Sequence, residues 1–173
     1  SANATNAPKK NALAFLAAFL TLAAVILLMF APSLHPDRVV FSNDGPLGVA
    51  NSDSLSLPSS FSGFWMDLYW IGGNGAHTPG SVTSFIRFLL GPVGYSKFYA
   101  AIAILISGLC GWAFFRALGL RAGVATVAAL GAALNSNFFS NSCWGLGTRS
   151  ITLGCTLLPL AALSARRLGH PWL

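Results

Sequence analysis

ALAFLAAFLTLAAVILLMFA, residues 12 to 31, carries no charged side chain and reaches the ~20 residues an α-helix needs to cross a ~30 Å hydrocarbon core. That stretch decides the class: the chain reads as an integral membrane protein. A cleaved leader is the rival reading. However, the apolar run is longer than a ~7 to 15 residue leader core, and Met29-Phe30-Ala31 lacks a small residue at the first of the two positions that cleavage prefers. The segment therefore reads as an anchor behind a tail of residues 1–11.

Composition points the same way. Of 173 residues 54% are hydrophobic and 8% charged, far below the ~25% charged of soluble domains, so a water-soluble core is not expected. Working outward from the first segment, spans are expected at 98–115, 122–139 and 150–165, the last two being rich in Ala, Gly and Ser. The expected fold is all-α: a polytopic membrane protein of about four transmembrane helices, with a long loop at 32–97 carrying interfacial helices.

Lys and Arg are retained on the cytoplasmic side, which sets the orientation. Lys9 and Lys10 precede the first span, Arg116 and Arg121 lie between the second and third, and Arg166 and Arg167 follow the fourth, in a tail of residues 166–173. These clusters share one side only if there are four spans with both ends cytoplasmic. The loop at 32–97 and a short one at 140–149 then face outward. The net charge of +6 is explained by this topology, since its cations follow membrane borders and form no basic stripe with interleaved aromatics; nucleic acid is not an expected partner. Cys110, Cys143 and Cys155 form no CxxC pair, and no structural disulfide is implied. The chain starts without Met and stops just after a cytoplasmic border, which reads as the N-terminal part of a longer protein.

All four acidic residues, Asp37, Asp44, Asp53 and Asp67, lie in the outer loop, and Glu is absent. Asp44 sits in Asn43-Asp44-Gly45-Pro46, which on pattern alone is a tight turn. Asp53 reads as a loop residue or helix cap, Asp67 as a carboxylate pointing to water from an aromatic interfacial segment, and Asp37-Arg38 as a weak surface pair. Residues 61–72 read as a short interfacial helix or a turn-rich aromatic hairpin. Ser81 to Leu90 puts Phe85, Phe88 and Leu89 on one helical face, with Ser84 and Arg87 off it, as a helix lying in the membrane plane requires. Gly91-Pro92 should break that helix before the second span.

Arg149, in Gly-Leu-Gly-Thr-Arg, is expected at the outer entrance of the last span, against the positive-inside trend. Two readings stand: a guanidinium that grips a lipid phosphate in bidentate fashion, or one that snorkels to ordinary headgroups. Asn135, Asn137 and Asn141 either line a polar cavity or cap a helix end. Ala125, Ala129 and Ala133 recur every four residues as a face suited to close packing. The three histidines are too scattered for a metal cluster, and zinc has no support.

Phe-Ser-Asn-Asp-Gly-Pro-Leu-Gly, Phe-Trp-Met-Asp-Leu-Tyr-Trp-Ile-Gly and Gly-Leu-Gly-Thr-Arg-Ser, with the topology around them, resemble bacterial YfhO-like membrane proteins and the N-terminal region of GT-C type glycosyltransferases. That resemblance implies the bacterial inner membrane and transfer of a sugar from a polyprenyl-phosphate donor to an acceptor on the outer face. It also implies a catalytic role for Asp44, the early-loop aspartate, with Asp53 as a second acidic candidate. A base there must be ionised and within hydrogen-bond reach of the acceptor hydroxyl. A divalent cation, were one used, would take carboxylate and donor-phosphate oxygens. The tight acidic pair or triplet of the family pattern is missing. The rival reading is a non-catalytic membrane subunit or scaffold that binds lipid or the helices of partner subunits.

Overall fold

The computed structural model describes residues 6–42, 46–51, 65–66, 73–74 and 82–168. Among these the architecture is all-helical: α1 (Asn6–Met29), α2 (Val82–Ala117), α3 (Ala122–Ala133), α4 (Ser136–Cys143), α5 (Gly147–Cys155) and α6 (Leu157–Leu168). Two strands of two residues, β1 (Trp65–Met66) and β2 (Gly73–Asn74), pair antiparallel with Trp65 opposite Asn74. The rest of the aromatic segment expected at 61–72 lies outside the described residues.

Helix α1 contains no breaker over its apolar length and buries one stripe, Ala18, Leu22 and Ile26, continued by Phe30 just past its end, at four-residue spacing. Leu13, Leu16, Leu20 and Leu28 are exposed around it, as they must be in a helix whose solvent is lipid. Helix α2 is two arms, 82–90 and 92–117. Gly91 between them has φ 65 and ψ 177, a conformation a side chain disfavours, and Pro92 has no N–H to carry the ladder across. On the first arm Phe85, Phe88 and Leu89 face outward while Ser84 and Arg87 turn half-buried toward the protein. The sequence periodicity is thus realised with the polar side inward.

Small residues set the helix order. The Phe15 ring meets Trp112 edge-on at 5.6 Å, and a Cβ on Gly108 would lie 3.0 Å from Leu22 and 3.3 Å from Ala133. Ala129 and Ala132 border Gly111, so both α1 and α3 run antiparallel to α2. Gly147 sits on Tyr99 and Ala103, Gly154 on Ser107, Leu157 beside Gly111, and Ala161 and Ala165 pack with Ala117; α5 and α6 therefore run parallel to α2. The described helices thus make four passes along the bundle, with three reversals of direction. Lys10, Arg116, Arg121, Arg166 and Arg167 gather at one end of the bundle. Arg38, Arg87, Lys97 and Arg149 gather at the other, called below the Arg149 end.

Three helical stretches, Lys10–Met29, Val82–Ala117 and Gly147–Leu168, are long and apolar enough to cross a membrane. The expected span at 122–139 differs: α3 and α4 are bent by 55° at Leu134 and Asn135. Twelve residues of α3 cover only ~18 Å, too short to cross alone, so the bent pair is either one broken span or a re-entrant loop. Asn135 makes the break tolerable. Its side-chain oxygen accepts from Asn137 N and Phe138 N, and its amide donates to Ala132 O, so one residue satisfies backbone on both sides of the bend. Capping is therefore the structural role of Asn135, while Asn141 bonds Asn137. The Ala125, Ala129 and Ala133 face is fully buried.

Candidate functional site

At the Arg149 end, the segment after α1 folds back over α2. Lys97 donates its ammonium to His35 O at 2.7 Å, and Val40 N donates to Ser96 O at 3.1 Å. Asp37 faces His35 at 3.6 Å rather than pairing with Arg38, and both partners are so exposed that the contact contributes little. Farther along, Ser42 crosses the turn after α4. Gly145 there has φ 81, and a Cβ on it would overlap the Ser42 side chain, so glycine is required twice over.

These crossings enclose a cavity of about 420 Å³. Arg87 from the first arm of α2 and Arg149 from the first turn of α5 both line it. Tyr95, Ser96 and Tyr99 supply one wall, and Ser42, Ala50 and Thr148 belong to others. The tyrosine rings stack at 4.3 Å with 22° between planes, as expected for residues one helical turn apart. The Arg87 guanidinium lies 4.7 Å from the Tyr95 ring centre, a cation–π contact that holds its plane. Buried Tyr99 shares its hydroxyl with Thr83 at 2.6 Å and Thr148 at 2.9 Å, tying both arms of α2 to α5. Two permanent cations thus face one space, and among the described residues no carboxylate lines it. The arrangement suits an oxyanion.

Below the cavity, α2, α4 and α5 join through three buried serines. Ser107 Oγ lies 2.7 Å from Ser150 O and 2.9 Å from Ala103 O. Ser150 Oγ donates to Phe138 O at 2.9 Å and so accepts from Ser142 Oγ, also at 2.9 Å. Every hydroxyl is satisfied, which makes this a joint rather than a reactive cluster.

Of the residues singled out by sequence, Arg149 lies on the cavity, exposed at its mouth. Asp44 and Asp53 fall outside the described residues, as does Asp67. Asp44 stands two positions after Ser42, and the helical turn at 47–51 that follows it returns Ala50 to the cavity wall. Among the described residues no three His, Cys, Asp or Glu side chains converge as a metal site. Arg87 is the cavity-lining cation that the sequence reading did not single out. Its signal was present: a lone cation opposite the apolar face of a short helix, eight residues before Tyr95. Comparison with protein-family models, curated proteins and solved structures gave no match to this chain.

Proposed function

We propose that this chain is a GT-C-like membrane protein that transfers a sugar from a polyprenyl-phosphate donor at the Arg149 end. The observation that carries the reading is the cavity itself: Arg149 sits in it, and the chain on either side of Asp44 contributes Ser42 and Ala50 to its walls. Arg149 would hold the donor phosphate through paired N–H bonds, and Asp44 would take the acceptor proton. The Arg149 end faces away from the cytoplasm in this reading, because six of the ten Lys and Arg residues belong to the opposite border. A bacterial inner membrane is the setting that the resemblance implies. Labelling from outside should reach a cysteine placed at Ser54 and miss one placed at Gly119; the reverse pattern would overturn the orientation.

The decisive test is Asp44→Asn, which keeps size and turn preference but removes the base. Transfer from a polyprenyl-phosphate donor should fall roughly 10²- to 10⁴-fold while membrane insertion is unchanged. Wild-type transfer in that variant would remove Asp44 from the mechanism. One observation favours the rival of a non-catalytic lipid-binding subunit: the described cavity walls carry two arginines and no carboxylate, chemistry for holding a phosphate rather than for activating a hydroxyl.

A further inference from the structure

We infer that Arg87 is the second half of a phosphate clamp, closing with Arg149 on the headgroup of a membrane lipid. The inference rests on the reading of Arg149 as a phosphate ligand and extends it to a residue with no role in that reading.

Three observations converge. Arg87 and Arg149 belong to elements 62 positions apart in sequence, yet the fold brings both to the same cavity. Neither is there by default. Arg87 is held over Tyr95, Tyr95 is stacked on Tyr99, and the Tyr99 hydroxyl is shared between Thr83 beside it on the arm and Thr148 next to Arg149. One chain of contacts therefore links the Arg87 guanidinium to the turn of α5 that carries Arg149. A bound oxyanion shared by the two would use the forked donors that distinguish arginine from lysine.

The arm that carries Arg87 indicates the source of the anion. Phe85, Phe88 and Leu89, each more than half exposed, cover its outer face while Arg87 points inward. An arm with that division lies with its apolar face among acyl chains, so the cavity beneath it opens at headgroup level. A lipid phosphate reaches the two arginines from the side; a soluble anion must come from the aqueous face. The clamp is therefore assigned to a lipid-borne phosphate.

The test uses the whole chain in phosphatidylcholine nanodiscs doped with a polyprenyl phosphate, with bound lipid read by native mass spectrometry. Arg87→Gln and Arg149→Gln should each weaken retention roughly tenfold to a hundredfold, the range for loss of a charged hydrogen bond. If both hold one phosphate, the double variant should fall short of the product of the two losses. Arg87→Lys keeps the charge and the apolar stem; it should fold as the parent does and still lose most of the retention. Parental retention in Arg87→Gln, or a double variant that loses the full product, overturns the shared clamp. Displacement of the lipid by excess inorganic phosphate overturns the lipid assignment. Retention that depends on both arginines in a protein that transfers no sugar would retire the transferase and leave the clamp standing.

Discussion

Between Ser107 and Gly154 the backbones of α2 and α5 approach until a Cβ on Gly154 would fall 2.7 Å from the Ser107 Cα. About two turns toward the Arg149 end, the same helices wall a cavity of about 420 Å³. The contrast is one of side-chain size. Where α5 presents Gly147, Ser150 and Gly154, α2 can lie against it, and serine hydroxyls close the remaining polar valences across the contact. Toward the Arg149 end Gly147 still sits on Tyr99, but Tyr95 and Arg149 leave polar groups facing a space. In lipid, which gives apolar helices no reason to associate, close packing and satisfied hydroxyls hold the lower joint. The upper region inherits its geometry from that joint.

The comparison breaks most severely at Gly154. Gly154→Leu forces a branched side chain into the Ser107 backbone, so α5 must leave α2; a loss of about 3 kcal/mol is expected, visible as a lower melting temperature in detergent. If the lower joint positions the cavity, this variant should also abolish retention of a polyprenyl phosphate, although residue 154 is absent from its walls. Parental retention would show that cavity and joint are independent. A smaller change sharpens the comparison from above. Tyr99→Phe removes only the hydroxyl between Thr83 and Thr148 and should cost about 0.5 to 1.5 kcal/mol. Its larger effect should be faster hydrogen exchange across 82–90, and unchanged exchange there would deny Tyr99 its part in holding the arm.

Legible in the sequence was what is written in local periodicity and backbone chemistry. Ala125, Ala129 and Ala133 share a helical face whatever packs on it, and Gly91-Pro92 ends a helix by its own backbone chemistry. The bend at Asn135 was not legible as a bend. Residues 122–139 pass as one apolar window, and only the structure shows a single amide bonding Ala132 behind it while its oxygen caps the helix ahead. The serine joint was equally hidden, since Ser107 and Ser150 are 43 positions apart and no spacing rule connects them. At the candidate site, Arg149 stood out as a cation on an unexpected border. Arg87 did not, because its position off the apolar face was accounted for by amphipathicity alone. Asp44 and Asp53 remain sequence proposals.

The break at Gly91 has a consequence for how the cavity responds to its surroundings. Phe85, Phe88 and Leu89 each gain roughly 1.5 to 3 kcal/mol by staying in apolar surroundings, so the arm follows the level at which the acyl chains begin. Gly91 and Pro92 let it do so without levering the long arm of α2. Thr83 on Tyr99 and Arg87 on Tyr95 tie the arm back to the long helix, so a shift of the arm is passed to the wall of the cavity.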